Sequence, residues 1–399
     1  MTKRTAVLWG ILAGILTLAG CKGQPGDFRT VIKNGRPESD SYGYEDPQPG
    51  RQGNSAHEGG EPLRVAATLF PYYDFTRQIA GDLVELELIV PAGMDSHSFE
   101  PTPADMRKIQ DADVLICNGG AMEHWVSQVL EAVDRRDMTV VCMMDYVDAV
   151  EEELVEGMEE GRHGHGSHGG HGHEEQEGEM MSGVGPDGSG DEREDSLMPG
   201  GGPDSPGSRT VFGDDHDGHE MEIEYDEHIW TSPVNAMVFA QVIQETLSQK
   251  DPAHEEQYRL GREAFQDQLM EIHQGFLQVA RDRKRNMIVV GDKFPFRYLA
   301  DEYGFSYRAA FTGCSTDTEP SAKTIAYLID KVRDEKIPAV YYLELSSRRV
   351  SEIIGEETGA VPLLLHSCHN VTRREFESGV TYVELMKQNV ENLRKGLDE

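Results

Sequence analysis

The sequence predicts an α/β protein with parallel sheets covered by helices, arranged as two lobes joined by one long helix. Three observations carry this. From Leu63 onward, short apolar runs rich in Val, Ile and Leu alternate with helical segments, the pattern of βαβ units. The same alternation resumes beyond Met287. Between the two stretches, Tyr258, Phe265, Leu269, Ile272, Phe276 and Val279 form one apolar stripe at helical spacing. That helix covers roughly 30 residues, or about 45 Å at 1.5 Å per residue, enough to run along a small protein and join two lobes.

In chain order, Leu63 to Phe70 reads as a strand, Tyr72 to Ala80 as a helix and Val84 to Val90 as a strand. A helix starts near Thr102, with Pro103 in its first turn and Met106 and Ile109 turned inward. Val114 to Cys117 is a strand, Trp125 to Val133 a helix and Met138 to Met143 a strand. After a long interruption, Val234 to Leu247 is helical, and Asp251-Pro252 supplies an N-cap and a first-turn proline to the long helix. Met287 to Val290, Ala339 to Leu343 and Val361 to Leu365 are strands. Thr324 to Lys331, Ser351 to Glu357 and Thr381 to Leu397 are helices.

Two segments cannot join a core. Residues 22–60 are rich in Gly, Pro, Ser, Asn and charge and read as a flexible tether. Residues 151–227 hold 24 acidic residues against Arg162, Arg193 and Arg209, so −21 of the net −35 sits there. A charge of this sign argues against nucleic acid or anionic lipid as a partner and suits a protein that meets cations. Ahead of the tether, Lys3 and Arg4 precede an apolar run from Ala6 to Leu18, which is too short to favour a permanent span. Leu18-Ala19-Gly20-Cys21 then resembles a bacterial lipobox, with Cys21 as the lipidated residue. The expected organisation is a signal peptide over 1–21, a tether over 22–60 and a first lobe over 61–150. A disordered acidic His-rich insertion over 151–226 follows, then the end of the first lobe over 227–250, the linking helix over 251–283 and the second lobe over 284–399. In an exported chain disulfides survive. Cys314 and Cys368, in polar loop-like surroundings, are the disulfide candidates, whereas Cys117 and Cys142 lie in apolar strand-like runs.

Four features point to a metal. His97 lies in Gly93-Met-Asp-Ser-His97-Ser-Phe-Glu100-Pro-Thr-Pro103, after a strand and before a helix, the edge of an α/β sheet where ligands bind. His228 lies in Asp226-Glu227-His228-Ile-Trp-Thr-Ser-Pro233, where flanking carboxylates can fix its tautomer. His366 and His369 follow the last strand in Leu363-Leu-Leu-His366-Ser-Cys-His369-Asn. The insertion carries His163, His165, His168, His171 and His173, with His216 and His219 further on, a spacing suited to labile chelation. A zinc hydrolase would need an open coordination position and a general base. No His-Glu-x-x-His helix or Gly-x-Ser-x-Gly elbow is present.

These motifs, with Asn118-Gly-Gly-Ala-Met-Glu-His-Trp125, resemble the ZnuA-like zinc/manganese solute-binding proteins of bacterial ABC transporters over roughly residues 63–150 and 224–399. The resemblance implies metal held in a cleft between two α/β lobes joined by a long helix, with His97 and His228 as ligands. The family's third ligand precedes a Phe-x-Tyr and a Tyr-Gly pair. Here Lys293 stands in that place, and a protonated lysine cannot coordinate. Asp292 is a substitute, and His366 stands where the family often has an Asp. The expected site is therefore His97, His228 and His366, completed by His369 or Asp292, with Glu344 as a further candidate. Three imidazoles and one more donor suit tetrahedral Zn²⁺, whereas Mn²⁺ favours more carboxylate. The expected role is non-enzymatic: a monomeric lipoprotein, anchored outside the cell membrane, that delivers zinc to an ABC permease. Manganese uptake, a metal-buffering or adhesin lipoprotein, and a secreted zinc hydrolase are the alternatives.

Overall fold

The computed structural model describes residues 61–133, 137–158, 225–315 and 319–398. The first lobe contains β1 (Leu63–Ala67), α1 (Phe70–Ala80), β2 (Val84–Leu88), α2 (Pro103–Asp111), β3 (Val114–Cys117), α3 (His124–Ala132) and β4 (Thr139–Cys142). It is completed by β5 (Val150–Glu151), β6 (Tyr225–Asp226) and α4 (Pro233–Lys250). The linking helix is α5 (Glu255–Asp282). The second lobe runs through β7 (Met287–Phe294), α6 (Arg297–Tyr303), β8 (Ser306–Thr312), α7 (Ala322–Asp334) and β9 (Ala339–Tyr342). It ends with α8 (Arg349–Thr358), β10 (Val361–Leu364), α9 (Arg373–Glu377) and α10 (Tyr382–Asp398).

Each lobe has one four-stranded parallel sheet, in the orders β2-β1-β3-β4 and β10-β9-β7-β8. The central strand β3 is buried at all four positions, as a strand covered on both faces must be. β5 and β6 make a short antiparallel ribbon, with Val150 opposite Asp226. It is bonded to the second lobe, where Val150 N donates to Tyr298 Oη at 3.1 Å and Tyr298 Oη donates to Asp226 O at 2.7 Å. The α/β reading with a long linking helix therefore holds. Among the described residues, no helix is long and apolar enough to cross a membrane.

Local chemistry explains where helices begin. Thr102 caps α2 in a reciprocal capping box with Asp105, and Pro103 occupies the first turn. Ser232 caps α4 through the backbone N–H groups of Val234 and Asn235. Asp251 departs from its expected role as the cap of the long helix. Pro252–His254 form a separate short 3₁₀ turn, and the Asp251 carboxylate instead accepts from Tyr258 Oη at 2.8 Å and contacts His254 Nδ1 at 2.6 Å.

Helix α5 buries the expected stripe of Tyr258, Phe265, Leu269, Ile272, Phe276 and Val279. These residues belong to a core that runs through both lobes and includes Phe75, Trp230, Leu299, Tyr341 and Leu393. Where α5 crosses α1, Gly261 lies against backbone: a Cβ there would stand 2.1 Å from Ile79 O. Further bonds tie the lobes directly. Asp74 accepts from the Tyr382 backbone N–H at 2.7 Å, and Arg77 donates to Val380 O at 2.8 Å. Asn370 donates to Pro91 O and Met94 O at 2.9 and 2.7 Å, joining the loop after β10 to the loop after β2.

Candidate metal centre

The loops that leave the carboxyl ends of β2 and β10, with the segment after β6, converge in the cleft and bring three imidazoles together. His97 sits on a single 3₁₀ turn, Ser96–Ser98, capped by Asp95, which accepts the His97 backbone N–H at 2.9 Å. His228 follows β6 directly and is buried. His369 follows β10, and its Nε2 hydrogen-bonds with Ser96 Oγ from the other lobe. Ring centroids are 6.1 Å apart for His97–His228 and 5.6 Å for each of the other two pairs. One donor atom from each residue lies within 4.8 Å of the others. Rearrangement of side chains is enough to close such a set around an ion with Zn–N bonds of about 2.0–2.1 Å.

His228 is the most firmly held. Asp226 Oδ1 accepts both its backbone N–H at 2.7 Å and its Nδ1–H at 3.0 Å, which leaves the Nε2 lone pair for a metal. Beneath it, the Glu227 carboxylate accepts from the backbone N–H groups of Ala121 and Met122 at 2.5 and 2.7 Å, and Asn118 Nδ2 donates to Glu227 O at 3.1 Å. This cradle needs a glycine: a Cβ on Gly120 would lie 2.5 Å from the Glu227 carboxylate, and its φ of +79° is left-handed. Trp230 lines the site, 5.4 Å from His228 and 5.3 Å from His369 between centroids, and its Nε1–H donates to Ser367 O at 2.8 Å.

The electrostatics prepare two of the three bases for a cation. Burial, then His228, lowers the His97 imidazole to about 4. Burial, then His228 and His97, holds His369 well below the ordinary histidine range. Both are neutral donors at pH 7, as ligation requires. For His228 burial acts downward, but Asp226 and the carboxylates of Glu152 and Glu227 outweigh it and raise the imidazole. Lys293 supplies positive charge that adds to the lowering of both His97 and His369, and its backbone N–H is taken by Asp292 Oδ1 at 2.7 Å.

Other expected residues lie outside this triad. His366 is buried, with its Nδ1 accepting the Cys368 N–H at 2.9 Å and its Nε2 lacking a partner. Its backbone is clamped by Asn389 of α10 on both sides. Cys368, at φ 58°, turns the chain so that His369 rather than His366 faces the first lobe. Glu344 accepts from Ser367 N and Oγ at 2.9 and 2.5 Å, holding this same turn. Asp292 is half-buried, near Ser346, Lys293 and Glu344.

The expected Cys314–Cys368 disulfide is not formed: both are free thiols. The Cys368 sulfur faces His366 O at 3.8 Å, while that of Cys314 lies within 4.8 Å of the donor atoms of Asp226 and His228. Cys21, His163, His165, His168, His171, His173, His216 and His219 lie outside the described residues. Ser96 and Trp230 had no place in the sequence-based site. Trp230 stands within the His228 motif, and Ser96 directly precedes His97, but neither residue type marks a metal site by itself.

The family described as zinc-uptake complex component A, periplasmic, matches residues 65–396. The chain belongs to that family. Within it, the zinc-binding lipoprotein AdcA of Streptococcus pneumoniae R6 is 26% identical over 338 residues, covering 84% of this chain and 56% of AdcA. The chain thus spans little more than half the length of that relative. The high-affinity zinc uptake system protein ZnuA of Bacillus subtilis is 27% identical over 350 residues, covering 86% of this chain and 92% of ZnuA. Among solved structures, the Zn(II)-bound ZnuA-like domain of S. pneumoniae AdcA superposes with a TM-score of 0.60 at 23% identity, over 85% of this chain and all of the domain. A Mn-bound periplasmic metal-binding protein of Candidatus Liberibacter asiaticus gives 0.56 at 19% identity, over 84% and 99%. These likenesses establish the two-lobed fold.

Proposed function

We propose that this member of the zinc-uptake component A family captures Zn²⁺ between its lobes through His97, His228 and His369 and delivers it to an ABC permease. Cys21 would anchor it by lipid outside the cell membrane. The observation that carries the reading is the meeting of three imidazoles from three separate loops, two of them neutral at pH 7. An all-nitrogen set suits Zn²⁺ better than Mn²⁺, which prefers carboxylate and higher coordination. A fourth position is left for water or a further donor. The zinc-binding and zinc-uptake names of the relatives support the same cargo.

No catalytic role is assigned. The carboxylates nearest the cleft already hold backbone or imidazole groups: Asp226 holds His228, and Glu227 holds Ala121 and Met122. A group so engaged is poorly placed to act as a general base toward a metal-bound water.

The test is growth of a deletion strain in medium depleted with a zinc chelator. Uptake predicts a growth defect rescued by added zinc and by the wild-type gene, but not by His97→Ala. Normal growth under depletion would favour a metal-buffering or adhesin role, and rescue by manganese alone would move the cargo to Mn²⁺.

A further inference from the structure

We propose that Cys117 and Cys142 are a disulfide-forming pair that cross-links β3 to β4 beneath the metal centre. The two residues are register partners on adjacent parallel strands. Neighbouring strands lie about 4.7–4.9 Å apart, inside the Cα separation of about 4.4–6.8 Å that a disulfide spans. Register partners project to the same face of the sheet, and their sulfurs stand 3.0 Å apart. Closure to the S–S bond length of about 2.03–2.05 Å therefore needs only a small rotation of the side chains. The backbone is already tied one step further along, where Met144 N donates to Asn118 O at 3.0 Å.

The two thiols differ in access, which gives the reaction a direction. Cys142 is half-buried and reachable, whereas Cys117 is fully buried. Its hydrogen bond with Cys142, and then burial, push the Cys117 thiol up, so it is a poor first nucleophile. A low-molecular-weight disulfide such as glutathione disulfide meets Cys142 first. The Cys142 sulfur attacks one of its sulfurs, the old S–S bond breaks, and one glutathione leaves as the thiol. The Cys117 sulfur then attacks Cys142 Sγ. The new S–S bond forms, the second glutathione leaves, and it takes the proton that Cys117 gives up. Two protein thiols are oxidised and one disulfide is reduced to two thiols.

The link would fix the floor of the site. β3 leads straight into Asn118–Met122, whose backbone and Asn118 side chain cradle Glu227, and Glu227 precedes His228. The pairing is independent of which metal the cleft takes. It suits the periplasmic setting in the family description, where disulfides persist.

The test is a thiol map of the native full chain after incubation with glutathione disulfide. The protein is then denatured, alkylated with iodoacetamide and digested without reductant for mass spectrometry. The expected result is a single cross-linked species joining the Cys117 and Cys142 peptides, two hydrogens lighter than their sum and separated by dithiothreitol. In Cys142→Ala the same treatment should leave Cys117 alkylated. Recovery of both wild-type cysteines as alkylated peptides, a lasting glutathione adduct on Cys142, or linkage of Cys117 to another cysteine would each overturn the proposal.

Discussion

Asp226 determines which face of His228 the cleft sees. Because its carboxylate occupies Nδ1, the lone pair of Nε2 is left for the ion. Removing such a partner from a metal-bound imidazole typically costs about 10–100-fold in affinity. Asp226→Asn should therefore weaken zinc binding by about that factor in competition with a chromophoric chelator, and unchanged affinity would remove Asp226 from the mechanism. The same pair sets the pH dependence. His228 is raised above its ordinary value, so a proton on Nε2 competes with zinc up to a higher pH than on an ordinary imidazole. Affinity should rise with pH through that titration, and binding within it should release a proton. Calorimetry in two buffers of different ionisation enthalpy measures this release. As pH falls toward about 4, His97 protonates as well and the loss of affinity should steepen. At this scale the sequence was partly legible. His97 and His228 announce themselves through their motifs, but the choice between His366 and His369 depends on a non-glycine residue, Cys368, in a left-handed conformation. No local preference predicts that.

Helix α5 was legible because 28 residues carry one unbroken stripe, and a long periodic pattern is the strongest signal a sequence offers. Shorter elements were not. Helix α6 has seven residues and α9 has five, too few for a period to declare itself, and β8 centres on two alanines that carry little strand preference. Asp251-Pro252 marks a boundary, but the element that starts there is a 3₁₀ turn that intervenes before α5. The crossing of α5 on α1 yields a prediction of its own. Alanine is the better helix former by about 1 kcal/mol, yet a Cβ at Gly261 would collide with Ile79 O. Gly261→Ala should destabilise by about 1–3 kcal/mol, seen as a lower urea midpoint at unchanged slope. Equal or higher stability would mean that the two helices do not approach so closely.

Across the whole molecule, the lobes are joined by more than one connection. The core is shared through α5, Tyr382 Oη donates to Trp230 O at 2.7 Å, and Asn370 binds the loop after β2. These bonds hold the proposed ligands together, His97 and His228 from one lobe and His369 from the other. Opening of the cleft must break these bonds, so capture and release should involve small displacements rather than wide hinge motion. The alternating pattern, the long stripe and the histidine-bearing loops made this architecture readable in advance. The interlobe bonds depend on which loops meet in space, and no spacing along the chain encodes that.

The central claim is that His369, not His366, is the second lobe's ligand. The most direct measurement is calorimetric titration of the full chain and its variants with zinc, each first checked for folding by circular dichroism. One tight site should appear in the wild type, vanish in His369→Ala as in His97→Ala, and persist in His366→Ala. A tight site that survives in His369→Ala but is lost in a folded His366→Ala would contradict the account.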